Sequence, residues 1–139
     1  MKQQAIPYFT FDGTAREALN YYKEVFGGEI TDLQTFGDAD FETPPNMDER
    51  IMHARFRKEG LYFMVSDTFD NKDVAVGNNI SLALELDSEE EINALYERLK
   101  ERGTVFMELQ DTFWGATFAK VKDAYGVTWD LNFEKAKAK

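Results

Sequence analysis

One pattern of elements is written twice along this chain, and it constrains the fold more than any single residue. Each copy reads as a strand, a helix and then three strands. Asp12 and Asp87 stand just before the two helical stretches, and Gly27 and Gly103 stand just after them, at offsets of about 75 residues. A period that long marks a duplicated module, not a solenoid repeat. One such module cannot cover both faces of its own sheet, so two of them are expected to pair, within one chain or between chains.

The helices are legible from their ends. Thr14-Ala15-Arg16-Glu17 has the spacing of a capping box, followed by Ala18, Leu19, Tyr22 and Phe26 on one face and a stop at Gly27-Gly28. Ser88-Glu89-Glu90-Glu91 repeats that design ahead of Ile92, Leu95, Tyr96 and Leu99, with Gly103 as the end. The acidic first turn and the Lys100/Arg102 end both suit the helix dipole. Strands are expected over Ala5–Phe11, Glu29–Phe36, Arg50–Arg57, Leu61–Ser66, Ile80–Leu86, Thr104–Leu109, Thr117–Lys122 and Val127–Phe133. Lys58-Glu59-Gly60 and Asp123-Ala124-Tyr125-Gly126 read as hairpin turns. The acidic loop Gly37–Glu49, with Pro44-Pro45, and the Asp/Asn/Gly-rich loop Asp67–Asn79 read as solvated connectors or as lids. The Lys/Ala tail, Glu134–Lys139, reads as a frayed end.

Composition narrows the function classes. A chain of 139 residues with a net charge of −10 lacks the clustered Lys and Arg that neutralise phosphates, which argues against nucleic acid and against an anionic membrane surface. No apolar run is long enough to span a bilayer, and the start of the chain shows no signal-peptide pattern. Cysteine is absent, so disulfides, thiolate metal sites and a cysteine nucleophile are excluded, which fits a cytoplasmic protein. His53 is the single histidine, so zinc cages and a Ser-His-Asp triad would rest on it alone. No GK[ST] follows Gly27-Gly28 and no G-x-G-x-x-G occurs, so phosphate-loop and dinucleotide fingerprints are missing.

The order of these pieces resembles a known family. Pro7-Tyr8-Phe9-Thr10-Phe11-Asp12-Gly13 leads into Ala18-Leu19-Asn20-Tyr21-Tyr22 and Phe26-Gly27-Gly28-Glu29. His53-Ala54, Met64-Val65-Ser66-Asp67, Asp111-Thr112-Phe113-Trp114-Gly115 and the run Asp123–Asn132 follow. Together they resemble the PhnB-like branch of the vicinal oxygen chelate superfamily, which holds glyoxalase I, bleomycin-resistance proteins and extradiol dioxygenases. The branch has also carried the label 3-demethylubiquinone-9 3-methyltransferase-like. The resemblance covers nearly the whole chain. It implies an α+β vicinal oxygen chelate fold over residues 1–139, a single domain of two tandem βαβββ modules forming a cupped sheet. The modules would run over approximately 1–68 and 78–136, joined by a loop over 69–77, and the cup would be completed in a homodimer.

Metal enzymes of that superfamily set His, Glu or Gln ligands on the first and last strands of each module, where an open metal position polarises substrate oxygens. Here the matching places carry Pro7, Met64, Ser81 and Asp130. Only Asp130 is a hard ligand, and a thioether suits magnesium, manganese or zinc poorly, so no family-style metal ligand set is expected. His53 shares a strand face with Arg55 and reads either as a proton shuttle in the cup or as a hydrogen-bonded strand residue. Asp130 reads either as an acid or base in an aromatic cup or as a carboxylate paired with a nearby Lys or Arg. Trp114, beside Gly115, reads either as a stacking platform or as an aromatic plug. Asn132 shares the Asp130 face, whereas Trp129 and Leu131 point the other way, under a helix.

The expected function is therefore binding of a small apolar or aromatic molecule, cationic in keeping with the acidic chain. The cup would be lined by Thr10, Met64, Ser66, Ser81, Trp114, Asp130 and Asn132. The alternative is a divergent metal-dependent lyase, isomerase or dioxygenase in which His53 and Asp130 are the catalytic candidates. A methyltransferase is the third reading, and it lacks the Gly-rich first loop usual among S-adenosylmethionine enzymes.

Overall fold

A computed structural model describes residues 1–39, 42–43, 46–69 and 74–135. The Pro44-Pro45 pair, part of the 69–77 connector and the tail beyond 135 lie outside the described residues. The chain divides into two compact units, Met1–Ala75 and Val76–Lys139.

In the first unit, β1 (Tyr8–Phe11), α1 (Ala15–Phe26), β2 (Glu29–Thr35), β3 (Ile51–Lys58) and β4 (Leu61–Asp67) follow one another, with a single 3₁₀ turn over Phe36–Asp38 between β2 and β3. The sheet order is β1-β4-β3-β2, with β1 parallel to β4 and the other neighbours antiparallel. The second unit repeats this as β5 (Leu82–Glu85), α2 (Glu89–Arg102), β6 (Thr104–Asp111), β7 (Ala116–Lys122) and β8 (Thr128–Glu134). Its sheet order is β5-β8-β7-β6, and β5 is parallel to β8. The duplicated βαβββ plan read from the sequence is thus the plan of the molecule. Both first strands are shorter than their apolar runs, and β6 extends two residues beyond its expected end.

Each helix covers one face of its own sheet. In the first unit Leu19, Tyr22 and Phe26 meet Phe9, Phe56 and Phe63, with Phe56 stacked on Phe63 at 4.8 Å and Tyr22 edge-on to Phe63 at 5.2 Å. Offset and edge contacts of this kind add about 1 kcal/mol each beyond the area they bury. In the second unit Ile92, Leu95, Tyr96 and Leu99 bury against strands that contribute Ala119, Val121, Trp129 and Leu131. The Trp129 indole N–H donates to Asp123 Oδ2 at 2.8 Å, and Asp123 Oδ1 accepts the N–H groups of Tyr125 and Val127. That single carboxylate therefore builds the β7–β8 turn and satisfies the largest buried side chain.

Two local expectations are corrected. The capping box at Thr14 does not form: Thr14 makes no side-chain cap hydrogen bond. The Ala15 N–H donates instead to Asp67 Oδ1 at 2.9 Å, and Asp67 Oδ2 accepts the Ile51 N–H at 2.9 Å. Asp67 thus takes the first N–H of α1 from the far end of β4, a different donor from the Glu17 N–H that a Thr14 cap would hold. The cap at Ser88 does form through the Glu91 N–H at 3.0 Å, but Glu91 returns its bond to Asp87 N–H, one residue before the cap. At Gly103 the helix ends with φ −110°, not in the left-handed region. Glycine is needed there for space, since a Cβ would press on the carbonyl oxygens of Lys122 and Leu99.

Asp67 is the residue whose loss should cost the first unit most. Asp67→Ala leaves two buried N–H donors without an acceptor and should lower the unfolding free energy by about 3 kcal/mol, with Asp67→Asn losing about half of that. Urea unfolding at constant m-value measures both. A second test concerns the exposed Asp111–Lys135 pair at 2.7 Å. The Lys135 hydrogen bond, with the Thr117 hydroxyl second, holds the Asp111 carboxyl below its usual range, and the same bond raises Lys135. The pair's stabilisation is therefore full between the ordinary carboxylate and lysine ranges. It fades as pH falls through the depressed Asp111 value, and again as pH rises through the raised Lys135 value. Asp111→Asn should lower the melting temperature at pH 7 and at low salt, but not at pH 2 or in molar salt.

Candidate functional site

A helix on one face leaves the other face of each sheet open, and strand alternation decides what stands on it. On the first sheet buried Phe11, Ala54, Phe56, Phe63 and Val65, with half-buried Phe9, face the helix, so Tyr8, Thr10, His53, Arg55, Met64 and Ser66 fall on the open side. Register sets Tyr8 across from Met64, Met64 across from Arg55, and Thr10 across from Ser66. Thr10 is exposed, whereas Met64 and Ser66 are half-buried.

His53 does not stand alone. The Tyr8 hydroxyl lies 2.9 Å from His53 Nδ1, and the Arg55 Nε–H donates to His53 Nε2 at 3.4 Å. Arg55 Nε lies 3.3 Å from Asp32 Oδ2, with Asp32 on β2 at φ 53°. The face shared by His53 and Arg55 is thus a hydrogen-bonded row that starts at Tyr8. The sequence singles out neither Tyr8 nor Asp32, because 45 residues separate Tyr8 from His53.

On the second sheet Asp130 and Asn132 stand on the open face of β8, opposite buried Trp129 and Leu131. Asp130 Oδ2 accepts from the Ser81 hydroxyl at 2.5 Å, although Ser81 precedes β5 by one residue. Asp130 Oδ1 lies 3.6 Å from Lys120 Nζ, its cross-strand partner on β7, and this buried oxygen receives no hydrogen bond. Asp130 thus has partners on both oxygens, a hydroxyl on one and an ammonium beside the other. Asn132 donates to Glu85 Oε2 at 2.8 Å and stands across from Phe118. Trp114 sits in the β6–β7 turn, 56% exposed, edge-on to Phe118 at 6.3 Å and edge-on to Phe113 at 5.0 Å. More than half of its surface is open.

The donor chemistry at the four places implied by the metal enzymes does not fit a divalent ion. Pro7 offers only a carbonyl, already accepting the Met64 N–H at 2.9 Å, and Met64 offers a thioether. Asp130 and Ser81 are bonded to each other, and an ammonium already lies beside the carboxylate. No group of three or more His, Cys, Asp or Glu is placed to hold a metal among the described residues. Nor is any described helix long and apolar enough to cross a membrane.

Comparison with known proteins places this geometry. The family model described as 3-demethylubiquinone-9 3-methyltransferase matches residues 3–132. Protein YjdN of Escherichia coli strain K12 is 31% identical, over 93% of this chain and 94% of its own. Protein PA1353 of Pseudomonas aeruginosa superposes with a TM-score of 0.86 at 34% identity, over 97% of this chain and 100% of that one. The PhnB protein of Bacillus cereus does so at 0.79 and 30%, over 94% and 99%. A glyoxylase/bleomycin resistance protein/dioxygenase domain from Frankia sp. EAN1pec shares the fold alone, with a TM-score of 0.70 at 13% identity over 97% and 99% of the two chains. The two βαβββ modules are thus those of the vicinal oxygen chelate fold, and the chain belongs to the PhnB-like family described as 3-demethylubiquinone-9 3-methyltransferase.

Proposed function

We propose that the chain is a small-molecule binding protein that takes a flat aromatic ligand bearing a cationic or N–H donor group, without a metal centre. One observation carries the reading: Asp130 Oδ1 is a buried acceptor with no hydrogen bond, on the sheet face that also carries Phe118. A carboxylate oxygen in that state lacks a donor that a ligand N–H can supply. Lys120, at 3.6 Å, neutralises the charge without filling the oxygen's directional requirement. Phe118 stands diagonally across the β7–β8 ladder from Asp130, within side-chain reach, and Trp114 continues the aromatic surface from Phe118. Ser81 and Asn132 orient the polar end. The protein is read as cytoplasmic and homodimeric. Exposed Leu33 on edge strand β2 and exposed Phe106 and Met107 on edge strand β6 support the dimer.

Trp114 makes binding directly observable, because the only other tryptophan, Trp129, is fully buried. Planar aromatic amines screened by thermal shift should raise the melting temperature and quench Trp114 emission, and Trp114→Phe should abolish the quench. Asp130→Asn should weaken the same ligands by about tenfold, the worth of one charge-assisted hydrogen bond. A screen in which nothing shifts the melting temperature would defeat the binding reading. A first-row metal near one per chain, lost in Asp130→Ala, would put a metal-dependent enzyme in its place. Methyl transfer from S-adenosylmethionine would establish the activity in the family's description.

The Lys120–Asp130 pair gives a separate test. Lys120→Met leaves a half-buried carboxylate uncompensated and should cost about 1–2 kcal/mol, discounted from a fully buried pair for the exposure of both groups. Adding Asp130→Asn should recover most of that loss, which a double-mutant cycle by urea unfolding reads directly.

A further inference from the structure

We infer that the open face of the first sheet is a binding site for an oxyanion, with the Tyr8 hydroxyl as its central donor and His53 and Arg55 as the residues that aim it. The argument starts from what each group can do. Arginine carries only donors, so the Arg55 Nε–H that reaches His53 Nε2 requires that nitrogen to be the acceptor. A neutral imidazole with an accepting Nε2 carries its proton on Nδ1. That N–H then donates to the Tyr8 oxygen, 2.9 Å away. The Tyr8 oxygen is thereby the acceptor in its bond with His53, and its own proton is left to point elsewhere. Tyr8 is 46% exposed on an edge strand, so that proton is presented at the open face.

The neighbours select the ligand. Met64 separates Tyr8 from Arg55 in the same cross-strand row, so phenol and guanidinium flank one apolar side chain. Thr10 and Ser66 are register partners one row on. A phenol, two hydroxyls and a guanidinium thus share one sheet face with a thioether. Such a set suits an oxygen-rich anionic head attached to an apolar body, a carboxylate being the simplest case. Asp32 Oδ2 lies 3.3 Å from the same Arg55 Nε and balances the guanidinium charge at that edge. This site is distinct from the Asp130 surface in residues and in ligand polarity: one takes an acceptor, the other a donor.

His53 is the only histidine, so its ring nitrogens give a single set of ¹⁵N signals and the tautomer is read without assignment. The free protein should show the Nδ1–H form, and Arg55→Met should shift the ring toward Nε2–H. Benzoate is the ligand probe, with neutral benzamide as its uncharged control. Benzoate titration should move the His53 signals and benzamide should not. Tyr8→Phe, which keeps the ring, should weaken benzoate by about tenfold. Trp114→Phe should leave benzoate binding unchanged, which separates this site from the aromatic surface of the second sheet. An Nε2–H tautomer in the free protein, a tautomer indifferent to Arg55→Met, or equal benzoate affinity in Tyr8→Phe would each overturn the inference.

Discussion

The first module depends on one buried carboxylate. Asp67 ends β4, and its two oxygens accept the first N–H of α1 and the first N–H of β3. A helix start and two strand ends are thereby fixed to one point, although the residues they join lie 52 and 16 positions away. The consequence reaches the open face. With β3 pinned at Ile51 and β4 pinned at Asp67, the Ala54–Val65 and Arg55–Met64 pairings follow. A slip by one residue would turn His53 and Arg55 into the aromatic core and bring Ala54 and Phe56 out. The polar row on the open face therefore exists because a carboxylate on the same sheet fixes the register.

The second module solves the same problem differently. Asp123 stands inside the β7–β8 turn, where one oxygen takes two backbone N–H groups and the other takes the Trp129 indole. Register is set here from a local turn outward, with Lys122 opposite Thr128 and Lys120 opposite Asp130. That contrast explains which parts of the site the sequence discloses. Alternation alone sorts Asp130 and Asn132 from Trp129 and Leu131. Counting outward from the Asp123–Gly126 turn also predicts the Lys120–Asp130 pair. The Tyr8–His53 contact has no such route. It spans the parallel β1–β4 pairing, which no hairpin dictates, and then crosses to β3. Likewise Thr14 and Glu17 have the spacing of a capping box that does not form, and the helix start is held by Asp67, an acceptor that is close only once the sheet has formed.

The repeated pattern disclosed the architecture because both helices and all eight strands carry their own periodicity. It disclosed less of the chemistry because duplicated modules need share only their buried faces. Buried positions are held by packing, so both copies keep an aromatic and aliphatic face under a helix. Open faces carry no such constraint, and the two have diverged in sign. The first gathers donors around Tyr8, Thr10, Ser66 and Arg55. The second offers the acceptors Asp130 and Glu85 beside Phe118 and Trp114.

Charge neutralisation links that divergence to the missing metal ligands. In a metal site the carboxylates are compensated by the ion they hold. In this chain the one carboxylate at a ligand place is compensated from within, by Lys120 across the ladder, and accepts the hydroxyl of Ser81 just before β5. On the other sheet Asp32 plays the converse part for Arg55. Once each charge has its own partner, a divalent ion would have to displace an ammonium from Asp130 while gaining few further ligands in return. What such faces retain is directional hydrogen bonding beside apolar surface, the combination that recognises small molecules. The fold keeps the scaffold of the vicinal oxygen chelate proteins, while the charges on its sheet faces are neutralised by partners within the chain.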